Sequence, residues 1–484
     1  MADNKTQGQI LSEKLLIESK SAWEKISDEE FRLTFDLCER YKTFLNKAKT
    51  EREFVEETEK LAKSKGYIAI EELINSQKKL MPGMKVYSIG RNKTVVLAVI
   101  GEESLEKGVN IVGAHIDSPR IDLKPNPVYE ANDMVFLKTH YYGGIKKYQW
   151  VTIPLAMHGV VVKRDGSKVN IKIGEDDNDT VFTITDLLPH LAADQMQKKM
   201  SEGITGEGLN ILSGSIPYKD DKVKDKVKLN ILNILNEKYG IVEEDLISAE
   251  LEMVPKFNAV DVGFDKSMIG AYGQDDRVCA YTALEAILDT EKVKRTAVCI
   301  LTDKEEIGSM GNTGAQSSFF VNFLADLCSL SVDNYNDIML RRCLSNSKML
   351  SADVNAAIDP TYENVYEKRN SSFLGRGIVL QKYTGARGKS GASDANAEFV
   401  GEIRKLFNDN NVVWQSAELG KVDQGGGGTI AQFIANLNVD VIDCGVAVLS
   451  MHSPFEVTSK VDVYMAYKAY KTFYINLVKE INFD

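Results

Sequence analysis

The stretch R-T-A-V-C-I-L-T-D-K-E-E-I-G-S-M-G carries two adjacent carboxylates, Glu305 and Glu306, directly after an apolar run. At the end of a strand such a pair can divide its work, one carboxylate facing a metal ion and the other a water. Elsewhere the chain again sets metal-binding residues where apolar runs meet polar ones: His115 with Asp117, Asp275 with Asp276, Asp353, and His452. The chain has five histidines, and two of them fall at such points. Oxygen and nitrogen donors without cysteine suit catalytic zinc, or cobalt or manganese. One carboxylate can bridge two ions ~3.5–4 Å apart, the spacing of two-metal hydrolases. Taken singly, each residue is more simply a packed histidine, a turn aspartate or a solvated charge. Their common placement at strand ends is what points to a metal centre.

The elements that must position them follow from hydrophobic periodicity. Residues 297–301 form an unbroken apolar run, as expected of a strand buried on both faces. In open α/β sheets, chemistry sits beyond the carboxyl ends of such strands. Residues 11–66 read as helices, with capping boxes at Ser27/Glu30 and Thr50/Glu53. Strands follow at 86–89, 95–100 and 109–114, the first two joined by a turn at Arg91-Asn92-Lys93. From about residue 132 the pattern changes to short strands, with a hairpin signal at Asp165-Gly166. The charge run from Lys219 reads as a solvated loop. From Asp275 strands and helices alternate, with helices at 276–288, 315–330, 393–406 (capped by Ser393) and 428–437, and a strand at 439–449. A long helix from Thr458 closes the chain. The expected architecture is α/β, a mostly parallel central sheet with helices on both faces. Residues 1–131 and 257–484 are expected to form the two parts of a catalytic domain, and 132–256 a β-rich insert.

A net charge of −11 and the lack of a basic stripe with interleaved aromatics argue against nucleic-acid binding. The six cysteines are scattered without a C-x-x-C and fall largely in apolar runs, as expected of free thiols in a reducing compartment. The N-terminus has no apolar signal region, and no window reaches the length of a membrane span. A cytoplasmic protein without membrane partners is the expectation.

The motifs G-A-H-I-D-S-P-R, Q-D-D-R-V, D-K-E-E-I-G-S, S-A-D-V and S-M-H-S, in this order, resemble those of the aspartyl aminopeptidase/aminopeptidase I family of dinuclear zinc metallopeptidases, in a bacterial form. The resemblance covers nearly the whole chain. It implies two zinc ions per subunit, bridged by Asp275, with Glu306 and His452 completing one site and His115 and Asp353 the other. It implies Glu305 as general base, and Asp117 as acceptor for the other N–H of His115. Asp276 would orient Asp275 or pair with Arg277. His158, in P-L-A-M-H-G, matches a family histidine that reaches a neighbouring subunit's active site, where it would donate to the oxyanion. The insert would then be a dimerisation domain, and the dimers would assemble to a dodecamer. Peptides are the implied substrates, cleaved at their N-terminal residue.

Departures from the family pattern bear on specificity. Ala356 and Asp359 stand where eukaryotic members carry histidines, and Q-G-G-G-G-T-I replaces a Pro-Cys-Gly segment. Lys389 or Arg387 is the candidate to receive an acidic first residue. The alternative is a neutral, leucyl-type or deblocking specificity, and a catalytically inactive assembly protein of the same fold is a further alternative.

Overall fold

The computed structural model describes residues 5–17, 20–176 and 178–477. Its central nine-stranded sheet runs in the order Ile68–Ala69, Lys85–Gly90, Thr94–Val99, Ala297–Thr302, Asn110–His115, Lys348–Ser351, Asp440–Gly445, Ile378–Gln381, Trp414–Ser416. Four central strands, from Ala297–Thr302 to Asp440–Gly445, are mutually parallel. Every residue of Asn110–His115 and Ala297–Thr302 is buried. Alternate side chains enter opposite cores. Val112 and Cys299 pack with the helices Gln274–Leu288 and Lys460–Asn476, whereas Ile111 and Val298 pack with Phe319–Ser331 and Asp337–Ser345.

Five of the eight strand pairings in this sheet are parallel, as expected, and three are antiparallel. Thr94–Val99 runs antiparallel to both its neighbours, and Ile378–Gln381 runs antiparallel to Asp440–Gly445. The first reversal has a local cause: Arg91 and Asn92 take φ of 57° and 58°, the left-handed conformation of a tight hairpin turn. Both predicted capping boxes form, at Ser27/Glu30 and Thr50/Glu53.

The β-rich segment is a seven-stranded antiparallel sheet with its own core around Trp150, Val161, Ile211 and Met253. This sheet also takes in the strand Arg120–Ala131, which lies ahead of residue 132. Strand Arg120–Ala131 pairs along Met134–Tyr142, which ties it to the insert rather than to the central sheet. The charge run from Lys219 is only partly a loop. A helix, Lys226–Tyr239, rises out of it and lays Val227 against the sheet. Gly240, at φ 68°, ends that helix.

A third, five-stranded sheet was not foreseen. The run 439–449 breaks into Asp440–Gly445 and Ala447–Leu449, and the second piece leaves the central sheet to pair with Glu456–Ser459. Glu456–Ser459 in turn pairs with Met268–Ala271. This small sheet brings the loop carrying His452 beside the turn that leads to Asp275. The predicted helices at 393–406 and 428–437 are shifted or shorter, at Ala397–Asp409, which follows Asn396 rather than Ser393, and Ala431–Ala435.

Candidate metal centre

Because the central strands are parallel, their carboxyl ends share one edge. His115 ends one strand, the Glu305-Glu306 turn follows the next, and Asp353 lies just beyond a third. The small sheet delivers Asp275 and His452 to the same edge. The five predicted metal-binding residues and Glu305 therefore meet at one place.

The carboxylate of Asp275 lies between two imidazoles, its Oδ1 3.2 Å from His115 Nε2 and its Oδ2 3.2 Å from His452 Nε2. Glu306 Oε2 is 3.6 Å from His452 Nε2, and Asp353 Oδ1 is 3.9 Å from His115 Nε2. Glu305 Oε2 also stands 3.9 Å from His115 Nε2. Each ring turns its Nε2 inward because its Nδ1 is engaged outside. Nδ1 of His452 donates to the carbonyl of Gly144 at 2.7 Å, and Nδ1 of His115 to the carbonyl of Asp117 at 3.0 Å, with the Asp117 carboxylate at 3.3 Å.

Asp117 has a further task that its spacing from His115 did not reveal. Its carboxylate accepts the main-chain N–H groups of Glu305 and Glu306, at 3.1 and 3.2 Å, and so holds their turn. Glu456 was missed altogether. It is buried and accepts the N–H of His452 at 2.7 Å and the N–H of Asp275 at 3.0 Å, joining the two loops. An acid four residues beyond His452 in M-H-S-P-F-E is its only sequence signal.

The electrostatics fit a cation. Burial, with Asp275 close by, raises Glu306, and burial beside Asp276 raises Asp353. Burial likewise pushes Glu305 up to about 7. Burial disfavours charge on His452, yet its hydrogen bond to Asp275 and the Glu306 charge raise it to about 10. Both oxygens of Asp276 and Oε1 of Glu306 are buried without a hydrogen-bond partner. Orphaned buried carboxylate oxygens among oxygen and nitrogen donors are what a hard or borderline divalent ion would satisfy. Two overlapping donor sets can form, His115 with Asp275 and Glu306, and His115 with Asp276 and Asp353. Asp276 does not pair with Arg277, whose Nη2 donates instead to the carbonyl of Lys49. The centre opens into a cleft of about 460 Å³ walled by Gln381, Thr384, Leu419, Gly426–Gly428, Phe433 and Met451.

His158 is not brought to this centre. It is fully buried, with Nδ1 2.9 Å from Glu53 Oε1 and Nε2 2.9 Å from Glu175 Oε1. For it to donate to an oxyanion in a partner, one of those carboxylates would have to release it. Lys389 and Arg387 also stand apart, lining an adjoining groove rather than the cleft. Lys389 Nζ is 3.1 Å from Asp394 and lies over the Tyr383 ring at 3.9 Å.

Residues 44–474 match the family model described as aminopeptidase I zinc metalloprotease (M18). A probable M18 family aminopeptidase 1 of Clostridium acetobutylicum is 56% identical over 96% of this chain and 99% of its own length. The crystal structure of an M18 family aminopeptidase from Thermotoga maritima is 46% identical over 95% of this chain and all of that one, with a TM-score of 0.90. A structure described as the S. cerevisiae mApe1 dodecamer shares the fold at 22% identity and a TM-score of 0.73, over 91% of this chain and 96% of that one. Since the matched residues include every strand that feeds the metal centre, the chain belongs to the M18, or aminopeptidase I, family of zinc metalloproteases.

Proposed function

We propose that this M18 aminopeptidase removes N-terminal residues from peptides with a two-metal centre. The observation that carries the reading is the Asp275 carboxylate, which offers one oxygen toward each histidine at 3.2 Å. On this reading Asp275 would be shared by two ions, Glu306 and His452 would help to hold one of them, and His115 and Asp353 the other. Asp276, whose oxygens have no other partner, stands beside the second site as an additional donor. Two divalent ions held there, zinc by the family's description or else cobalt or manganese, would supply a lowered water pKa and polarise the scissile carbonyl. Glu305, raised by burial to about 7, takes the proton of the attacking water and passes it to the departing amine. Asp117 keeps Glu305 in reach by holding its main-chain N–H. Metal analysis of the purified protein, with hydrolysis of aminoacyl amides under zinc, cobalt and manganese in turn, tests this. One ion per active chain would sink the bridging role of Asp275.

The cleft favours neutral first residues over acidic ones. Among its described lining residues there is no lysine or arginine, while Leu419, Phe433 and Met451 supply apolar surface. An acidic side chain would enter without a cationic partner, and a leucyl-type one would gain burial. Leucyl substrates are expected to turn over faster than aspartyl ones, and the reverse ratio would restore Lys389 or Arg387 as the receiving charge.

Self-association is part of the same reading, with the insert as dimerisation surface and a dodecamer as the final particle. The support is the relative described as a dodecamer on the same fold. Six free, buried cysteines support a reducing, cytoplasmic setting. Among the described residues no helix is long and apolar enough to cross a membrane.

A further inference from the structure

The strand Met134–Tyr142 belongs to the antiparallel insert, yet its end and the two residues after it touch the metal centre on two sides. Tyr142 Oη donates to Asp117 Oδ2 at 2.8 Å, and Asp117 holds the main-chain N–H groups of Glu305 and Glu306. Gly143, at φ 74°, lies so close that a Cβ there would stand 3.1 Å from Glu306 Oε2. Gly144 accepts from Nδ1 of His452, and a Cβ on it would stand 3.3 Å from that nitrogen. Behind Tyr142, the Arg120 guanidinium covers its ring at 3.9 Å. Arg120 is buried and anchored by Asp122 at 2.8 Å, Glu252 at 3.3 Å and Glu51 at 3.5 Å. Asp122 and Glu252 sit on the insert's strands, whereas Glu51 opens a helix of the catalytic part.

We propose that Tyr142 is a positioning residue for the base: through Asp117 it locks the Glu305-Glu306 turn, while Gly144 locks the His452 ring from the other side. The inference rests on the reading of Glu305 as base. Tyr142 does not touch substrate in this scheme. It restrains the turn, and misplacing a catalytic group by even ~1 Å can cost ~10²-fold in rate. The insert thereby acts on the chemistry within a single chain, independent of any partner.

Tyr142→Phe keeps the ring against Arg120 and removes only the donor. In the metal-loaded enzyme kcat is expected to fall about tenfold, with KM within about twofold and zinc content at the wild-type level. In the chelated full-length chain, hydrogen exchange of the backbone at 303–308 is expected to quicken about tenfold while that of 94–99 is unmoved. Unchanged kcat and exchange would overturn the proposal. So would faster exchange throughout the chain, which would mark Tyr142 as merely structural. Gly144→Ala gives a second arm: zinc should bind about tenfold more weakly, because its Cβ presses on His452, with exchange at 303–308 unaltered. Wild-type zinc affinity in that variant would refute the clamp on His452. Full activity in Glu305→Gln would instead remove the base assignment, and the exchange result on Tyr142 would still stand.

Discussion

Two buried histidine-carboxylate clusters in this chain look alike pairwise and differ as wholes. At the sheet edge, His115 and His452 face Asp275, Glu305, Glu306 and Asp353, with Asp276 beside them. Among the described residues no lysine or arginine pairs with those carboxylates, several oxygens lack a partner, and the cleft opens onto the cluster. At His158 the same residue types balance. Glu53 and Glu175 take the two ring nitrogens, Lys172 Nζ sits 3.1 Å from Glu53, and Lys49 Nζ 2.8 Å from Glu175. Lys49 also donates to the carbonyls of Pro255 and Lys256, which fastens the end of the insert to the catalytic part. One cluster is short of positive charge and the other has enough of its own. That difference, rather than the presence of histidine near carboxylate, separates a metal centre from a structural pin.

The comparison can be broken most severely at Asp275. Asp275→Ala is expected to abolish binding of both ions and with it all measurable hydrolysis, as read by zinc content and a leucyl-amide assay. Two retained ions per chain would move the bridge to Asp276. Glu305→Gln comes next: kcat should fall by ~10²–10⁴ with both ions retained, since only the proton carrier is lost. Loss of metal there would exchange the roles of Glu305 and Glu306.

At the other cluster the expected effect is on stability. His158→Ala should lower the unfolding free energy by about 3 kcal/mol, by leaving Glu53 and Glu175 buried beside each other, while zinc content is unchanged. A urea titration checks this. A fall of ~10²–10³ in kcat with stability intact would return His158 to the oxyanion role across subunits.

The pH dependence sharpens the same point. Against burial, which would lower it, Glu175 and Glu53 raise His158 above its usual 6.5. Against burial, which would raise it, the hydrogen bond and charge of His158 hold Glu53 at about 2, below its usual 4.5. The His158 share of stability is full below 6.5 and is lost as pH climbs through its folded value; the Glu53 share is present above 4.5 and is lost as pH falls toward about 2. The pin is thus strongest between 4.5 and 6.5, and His158→Gln should lower the unfolding midpoint within that window and lessen its fall above 6.5 and below 4.5. An unaltered pH profile would mean that the pair carries no proton linkage. The smallest effect is expected at Lys389, whose charge is spent on exposed Asp394. Lys389→Met should change the leucyl-to-aspartyl rate ratio by less than about twofold.

The convergence of the candidate donors was legible in the sequence because a parallel sheet collects its strand ends by rule. Apolar runs ending in His115, Glu305-Glu306 and Asp353 had to converge once the four strands paired in parallel, whichever order they took. The capping boxes at Ser27 and Thr50 were legible too, since their partners lie three residues away. The reversal of Thr94–Val99 was implicit in the Arg91-Asn92 turn, but alternation of strands and helices favoured the parallel reading.

What escaped depends on partners far along the chain. Residue type and burial make His158 a candidate for either role, and Glu53, 105 residues away, joins Glu175 to close its ring. Tyr142 and Gly144 read as the end of an insert strand until the fold sets them against Asp117 and His452. By itself the sequence determined which donor atoms are available and at which strand ends, because those depend on residue type and local periodicity. The tertiary structure alone decided which cluster is left with unpaired buried carboxylates, because that depends on the sum of charges that distant segments bring to each one.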